Sequence, residues 1–257
     1  MGTVVDLSRP LYEGMPHATT IPEPRLESVR TMHDHGLRCM QLTLPTHCGT
    51  HLDAPSHFIQ DGGTLDAVAV QSLIGPALCV EVNVPANNAI TPHDLRAAGE
   101  LAPGTALLIR TGWDALYGAD GYMHHPYLSA EAAEWIVAAK ARLVGIDVVT
   151  PELPGHLRPP GYPCPVHMTL LGAGVLILEN LDLRPVTGSA CNLFVGVLRV
   201  SGAALRATAR AQGRAIGEVD ALIASIARAT GFTVATRDTA PFAAGGITVV
   251  NPFDQTR

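Results

Sequence analysis

Short apolar runs, separated by Gly and Pro, recur along the chain, and their lengths suit buried strands better than long helices. Residues 39–44 alternate apolar and polar positions, which predicts a half-buried strand. Residues 77–84 and 106–109 are continuous apolar runs of strand length. Thr91 followed by Pro92 opens a helix, with Thr as N-cap and Pro at the first helical position. Ser129 caps a second helix, rich in Ala and Glu, that is expected to reach Arg142. A buried strand follows at 143–149, then one or two helical turns at 167–171 ended by Gly172 and Gly174. Residues 175–178 form another apolar run that leads into Glu179, and 193–200 read as a further strand. Strands and helices mixed in this order predict an α/β or α+β domain.

The texture changes after Arg206. Ala and Arg dominate, and Gly213 and Gly217 interrupt the run. Val219, Leu222, Ile223 and Ile226 then fall at helical spacing, and residues 232–235 and 247–250 read as two strands. A boundary near 207–213 divides the chain into a main domain, 1–210, and an extension, 211–257.

Composition narrows the class. The 257 residues are 47% hydrophobic and 16% charged, enough apolar material for a substantial core. A net charge of −6 without a Lys/Arg run argues against a nucleic-acid partner. The first residues lack a basic stretch followed by an apolar one, and no apolar run reaches the roughly 18–20 residues of a membrane helix. Cys39, Cys48, Cys79, Cys164 and Cys191 are scattered without a CxxC pair, as expected for reduced thiols in a cytoplasmic protein.

The chemistry is concentrated in His47-Cys48-Gly49-Thr50-His51-Leu52-Asp53-Ala54-Pro55-Ser56-His57. His47, His51, Asp53 and His57 share one parity, so an extended backbone would project them to one face. Pro55 disfavours a regular helix or central strand and points to an irregular edge or loop. Neutral imidazoles with a carboxylate suit a borderline cation such as zinc or manganese. Two His four apart arise easily by chance. A cluster of three His with an Asp is costly to bury unless it is paired or binds metal.

The segment resembles the HxGTHxDxPxH signature of the cyclase family, which includes bacterial kynurenine formamidases and isatin hydrolases. His47, Gly49, Thr50, His51, Asp53, Pro55 and His57 occupy every fixed position. Asp6-Leu7-Ser8, Gly14-Met15-Pro16, Asp61-Gly62-Gly63-Thr64, Thr111-Gly112-Trp113 and Gly145-Ile146-Asp147 also fall in family order. His167 and Glu179-Asn180-Leu181 are similar to the family's later metal-site pair, so the likeness spans about residues 4–206. It implies a swivelling β/β/α-type fold with a small C-terminal α/β extension, assembled as a homodimer or homotetramer. His47, His51 and Asp53 would bind a first ion. In two-metal members Asp53 would bridge to a second ion held by His167 and Glu179, and His57 would be the general acid/base. A zinc-class ion brings the pKa of bound water to about 7, and a histidine is suited to moving its proton at neutral pH.

Three departures qualify the likeness. Kynurenine formamidases usually carry a Pro-x-Trp-Pro-Gly-Asp-like segment where this chain has Met15-Pro16-His17-Ala18-Thr19-Thr20-Ile21-Pro22. The usual Asp-Gly-Ser-Pro-x-Arg ending is replaced by Ser201-Gly202-Ala203-Ala204-Leu205-Arg206, and the chain then continues for about fifty residues. That continuation resembles the second half of a PIN-domain ribonuclease, with Asp220 and Asp238 matching two of that family's acids. Without the other acids a clustered carboxylate site cannot hold its ions, so no nuclease activity is expected. His33-Asp34-His35 reads as a solvated turn and His124-His125 as surface or pocket rim. The absence of GxSxG disfavours a serine nucleophile. The expected function is metal-dependent hydrolysis of a C–N amide bond in a formamide, cyclic amide, imide or lactam of a small, aromatic molecule. Arylformamidase activity is the best single assignment. The rival readings are a non-catalytic metal-binding or ligand-sensing descendant and, behind it, an RNA-cleaving PIN relative.

Overall fold

The computed structural model describes residues 4–18, 20–96 and 99–198, with the backbone pairs 234–235 and 249–250. β1 (Arg25–Arg30) and β2 (Cys39–Thr43) form an antiparallel ribbon joined through α1 (Met32–His35). Thr31 caps α1 by accepting from the Asp34 amide, and Gly36 closes it at φ 68. The register sets Leu26 against Leu42 and Ser28 against Met40, as the alternation at 39–44 requires. The strand is not half-buried, however. Every residue of β2 is exposed, Met40 at 55% and Leu42 at 52%, because the ribbon is a two-stranded sheet of its own with no layer over its apolar face among the described residues.

The chain continues through β3 (His51–Asp53), β4 (Ile74–Glu81), β5 (Ala89–Ile90), α2 (Pro92–Leu95), β6 (Ala106–Arg110), β7 (Tyr127–Leu128) and α3 (Ala130–Ala138). It then passes through β8 (Leu143–Ile146), α4 (Pro165–Gly172), β9 (Leu176–Glu179) and β10 (Ala190–Phe194). Six strands form one sheet in the order β10-β4-β6-β8-β9-β3. β4, β6, β8 and β9 run parallel, and β3 lies antiparallel to β9 at the edge. The α/β class is therefore as expected. The continuous apolar runs occupy the interior of this sheet, where both faces are covered. Leu107, Leu108, Ile109, Leu143, Val144, Ile146 and Ile177 are fully buried. Ala132, Ala133 and Ile136 of α3 and Val166, Leu170 and Leu171 of α4 join the same core.

Local chemistry sets the element ends. The Thr91–Pro92 start is realised as a capping box with Asp94. α3 stops at Ala138, short of Arg142, because Lys140 turns to φ 56 and its carbonyl accepts from Gly104. The last strand of the sheet starts earlier than the run at 193–200 suggested. β10 begins at Ala190, just after the Ser189 carbonyl accepts from the Cys79 amide.

The chain divides into two compact units, Met1–Gly62 with Pro76–Asn192, and Gly63–Gly75 with Leu193–Arg257. The first carries the core and the sequence signature. In the second, short 3₁₀ turns at Leu65–Ala67 and Val70–Leu73 are followed by a bond from the Val195 amide to the Leu73 carbonyl. β11 (Val234–Ala235) pairs in parallel with β12 (Val249–Val250), within the strands expected at 232–235 and 247–250. The helix expected at 219–226, Asp220, Asp238 and the boundary at 210 lie outside the described residues. Among the described residues, no helix is long and apolar enough to cross a membrane.

Two signature tripeptides prove to be one device. Asp147, just beyond β8, accepts from the Thr111 amide and hydroxyl and from the Gly112 amide, tying the ends of β6 and β8 together. Gly112 sits at φ 79, and a Cβ on Gly145 would lie 2.7 Å from Leu108 Cδ2 and 2.8 Å from Leu181 Cδ1. Burial pushes the Asp147 carboxyl up to about 6 against these donors. Asp147→Asn replaces one acceptor with a donor facing amides, and should cost about 2 kcal/mol by urea unfolding at pH 7. The folded pKa lies above the unfolded value of about 3.9, so the folded state binds this proton more tightly. The stability advantage of wild type over the variant should therefore widen as pH falls through 6. A gap that is flat or narrows between pH 7 and 5 would show that Asp147 stays ionised.

Candidate metal centre

The edge strand β3 joins the two chain segments of the first unit through β9. Its register with β9 places His51 directly opposite Glu179 and Asp53 opposite Ile177. His51 and Asp53 lie two apart, on the same face of β3 as the cross-strand Glu179. His47 and His57 reach them through irregular backbone, in keeping with the edge or loop that Pro55 pointed to. His47 lies in a bend before Gly49, whose φ is 59, and His57 ends a 3₁₀ turn over Pro55–His57. That turn is held by bonds from the His57 amide to Ala54 O and from the Ile59 amide to Pro55 O. His167 comes from the first turn of α4, which follows a left-handed Cys164 with Pro165 at the first helical position.

The six predicted residues converge. His47 Nδ1 lies 2.7 Å from Asp53 Oδ1. His51 Nε2 lies 3.2 Å from Glu179 Oε2 and 3.5 Å from Asp53 Oδ1. His167 Nε2 lies 3.4 Å from both Asp53 Oδ2 and Glu179 Oε1. The His57 ring stacks on His47 with centroids 3.6 Å apart. Donor atoms fall within 4.8 Å of one another in two groups, His47–Asp53–His57 and His51–Asp53–Glu179. Asp53 belongs to both. This grouping differs from the family-derived one, since His57 sits with potential ligands rather than apart from them.

Two carboxylates this deeply buried demand positive charge. Asp53 is 1% exposed and Glu179 is 5% exposed. Burial opposes ionisation of both, yet His167, His47 and His51 hold Asp53 well below the usual carboxylate range, and His167 and His51 lower Glu179. The imidazoles respond in the opposite sense. Burial disfavours the charged form of His51, but Glu179 and Asp53 push it up to about 9, and His167 is raised likewise by Asp53, Glu152 and Glu179. His57 behaves differently. Burial pushes it down to about 4, so it is neutral near pH 7.

The tautomers decide whether this donor set fits a cation. His51 Nδ1 lies 2.9 Å from Gly49 O, and His167 Nδ1 lies 3.1 Å from Glu152 Oε1. Both acceptors call for a proton on Nδ1, which leaves each Nε2 turned to carboxylate oxygens, where it carries a proton or offers its lone pair to a metal ion. His51 Nε2, Asp53 Oδ2 and Glu179 Oε1 are buried without a hydrogen-bond partner. Lone pairs and carboxylates converging on one small volume repel unless a cation lies among them. Nitrogen and oxygen donors of this kind fit zinc or manganese.

Several supporting contacts escaped the sequence reading. Glu152, fully buried, accepts from the His167 amide at 2.8 Å, and its other oxygen accepts from the Tyr162 hydroxyl at 2.8 Å. Its cue was Pro151-Glu152-Leu153-Pro154 directly after a buried strand, which has no diagnostic spacing. Thr50 is fixed by accepting from the Arg9 amide and donating to Asn180 O, next to Glu179. Phe58 lies over His167 with ring centroids 4.5 Å apart. Of the lesser candidates, His33 and His35 are exposed in their turn as expected. His124 meets His156 at 3.2 Å on the surface, but His125 is buried rather than on a rim, and burial pushes it down to about 4.

Residues 5–152 match the cyclase family. The chain belongs to that family. The cyclase signature and Glu152 fall inside the matched span, while His167 and Glu179 lie beyond it. Kynurenine formamidase of Geobacillus thermodenitrificans is 31% identical over 179 residues, covering 67% of this chain and 80% of that protein. Plasmid stability protein StbB of Pseudomonas syringae pv. tomato is 58% identical over 78 residues, 30% of this chain. The chain spans only 56% of the length of StbB. Among solved structures, a potential metal-dependent hydrolase with cyclase activity superposes with a TM-score of 0.64 at 26% identity, over 77% of this chain and 90% of that one. The cyclase fold is thus shown in both sequence and coordinates.

Gly62 offers a test of how the His57 turn is held. A Cβ there would lie 2.7 Å from Pro55 C, 2.8 Å from Ser56 N and 2.9 Å from Ile59 O, all backbone atoms. Gly62→Ala should destabilise the protein by about 1–3 kcal/mol in thermal or denaturant unfolding. Gly63→Ala, where a Cβ meets nothing within 4 Å, should be close to neutral. Equal effects of the two would show that the turn does not depend on this close approach.

Proposed function

We propose that the protein is a metal-dependent amidohydrolase that cleaves the C–N bond of a formamide, cyclic amide, imide or lactam of a small aromatic molecule. The reading is carried by one observation: His51 and His167, each with Nδ1 engaged, aim Nε2 at the same two buried carboxylates. Zinc or manganese would be the cation, one or two ions per chain. His47, His51 and Asp53 would hold the first ion, and His167 and Glu179 would hold the second with Asp53 between them. Bound there, such a cation supplies a Lewis acid for the scissile carbonyl and an acidified water. The relative named kynurenine formamidase supports the amide class and makes arylformamidase the best single assignment.

His57 is suited to the proton transfers. It is neutral near pH 7, more exposed than Asp53, and fixed between the His47 and Phe58 rings. It takes a proton from the attacking water and returns it to the leaving nitrogen, which would otherwise depart as an unfavourable anion. Phe58 over His167 limits water beside the carboxylates, which strengthens the charge interactions at the site. We further propose a cytoplasmic enzyme assembled as a homodimer or homotetramer, with residues 211–257 as an appended module outside the reaction.

Metal analysis of protein purified without chelator, wild type beside His51→Ala, is the first test. One or two equivalents of zinc or manganese in wild type, lost or reduced in the variant, is the expected result. Hydrolysis of formamides and cyclic imides or lactams should disappear on metal removal and return on reconstitution. His57→Ala should keep the metal but lose about two to four orders of magnitude in kcat. Full turnover without metal would refute the mechanism. Bound metal without turnover of any amide in the panel would instead favour a non-catalytic cation-binding protein.

A further inference from the structure

The candidate second ion position depends on how the His167 ring is turned, and α4 alone does not set that angle. His167 lies in the first turn of the helix, where its backbone amide has no helical acceptor. Glu152 fills this need. Its Oε1 accepts from the His167 amide at 2.8 Å and lies 3.1 Å from Nδ1 of the same residue. One carboxylate oxygen therefore grips the backbone and the ring together, which fixes both the place of the residue and its side-chain rotation. Its Oε2 accepts from the Tyr162 hydroxyl at 2.8 Å, so Glu152 cannot swing away without breaking three bonds. The Arg158 guanidinium lies 5.5 Å from the Tyr162 ring centroid, and its Nε donates to Leu153 O at 2.6 Å. Residues 152–162 are thereby closed into a brace behind His167.

We infer that Glu152, held by Tyr162, is a positioning residue that presents His167 Nε2 toward Asp53 and Glu179 and raises the affinity of the site for its cation. The inference rests on the metal-dependent reading above. A carboxylate on the distal nitrogen of a ligating imidazole fixes the tautomer, orients the ring and increases the basicity of the ligating nitrogen. Glu152 is fully buried, and all of its contacts run from donors to its oxygens, which suits an ionised acceptor.

The test uses full-length protein and zinc alone, then manganese alone, in competition with a chelator of known affinity. Wild type, Glu152→Gln and Tyr162→Phe are compared for stoichiometry and Kd, with metal-free unfolding temperature recorded for each. Glu152→Gln keeps the shape and one carbonyl acceptor but removes the charge. It should weaken binding of one equivalent by about tenfold to a hundredfold. Tyr162→Phe should weaken the same equivalent by a smaller factor while leaving the metal-free unfolding temperature near that of wild type. A purely structural role predicts lower unfolding temperature with unchanged Kd in both variants, and that result would overturn the inference. Wild-type Kd in Tyr162→Phe together with a Glu152→Gln variant that does not fold would also overturn it. Wild type that binds neither metal would refute the metal-dependent reading itself and the inference with it, a failure visible before any variant is measured.

Discussion

Two buried carboxylates facing one another set the terms for everything around them. Asp53 and Glu179 sit on adjacent antiparallel strands, away from water, and each raises the energetic cost of ionising the other. A pair of this kind survives only where positive charge is supplied. The surrounding chain is organised to supply it. His47 meets Asp53, His51 and His167 lie against both acids, and their distal nitrogens are tied to Gly49 O and Glu152. Without a metal, protonated imidazoles can provide the balance, as the raised His51 and His167 show. With the proposed cation bound, the same nitrogens would be neutral ligands.

The sheet explains why this arrangement is rigid. β9 is an interior strand, so Glu179 is anchored on a fully buried element, and β3 is fastened to it by a three-residue register. Thr50 and Asn180 add a side-chain bond at the same level, where Asn180 turns to φ 57 and accepts from the Tyr122 hydroxyl. Asp147 gathers the Thr111–Gly112 turn at the ends of β6 and β8. Sequence signatures scattered over more than a hundred residues therefore meet on neighbouring strands of one sheet.

The six ligand and proton-transfer candidates were legible in the sequence because their chemistry is costly. His and Asp packed into eleven residues have few bland explanations, and the later His167 and Glu179 gained meaning from the family resemblance. Interior strands were equally legible, since a fully buried parallel strand must be apolar on both faces. What escaped depended on distance in three dimensions. Glu152 has no spacing relation to His167 and is recognised only by where its oxygens point. The alternation in β2 gave the pleat correctly but could not say whether a layer covers it. The early end of α3 came from one left-handed Lys140, a position where propensity would have continued the helix. The C-terminal likeness to a PIN domain concerns residues outside those described, so it stands as a sequence expectation.

The pairing of His51 with Glu179 also bears on how the protein is made. Residues 128 positions apart must meet before the cation site exists, and the chain between them carries three more parallel strands of the same sheet, β4, β6 and β8. Contacts this distant in sequence form slowly, because chain closure precedes any energetic return. A ribosome-bound chain that has emerged as far as His57 carries the three imidazoles and the aspartate of the signature but not Glu179, the partner of His51. Assembly of the proposed cation site is thus tied to completion of β9, where Glu179 meets His51.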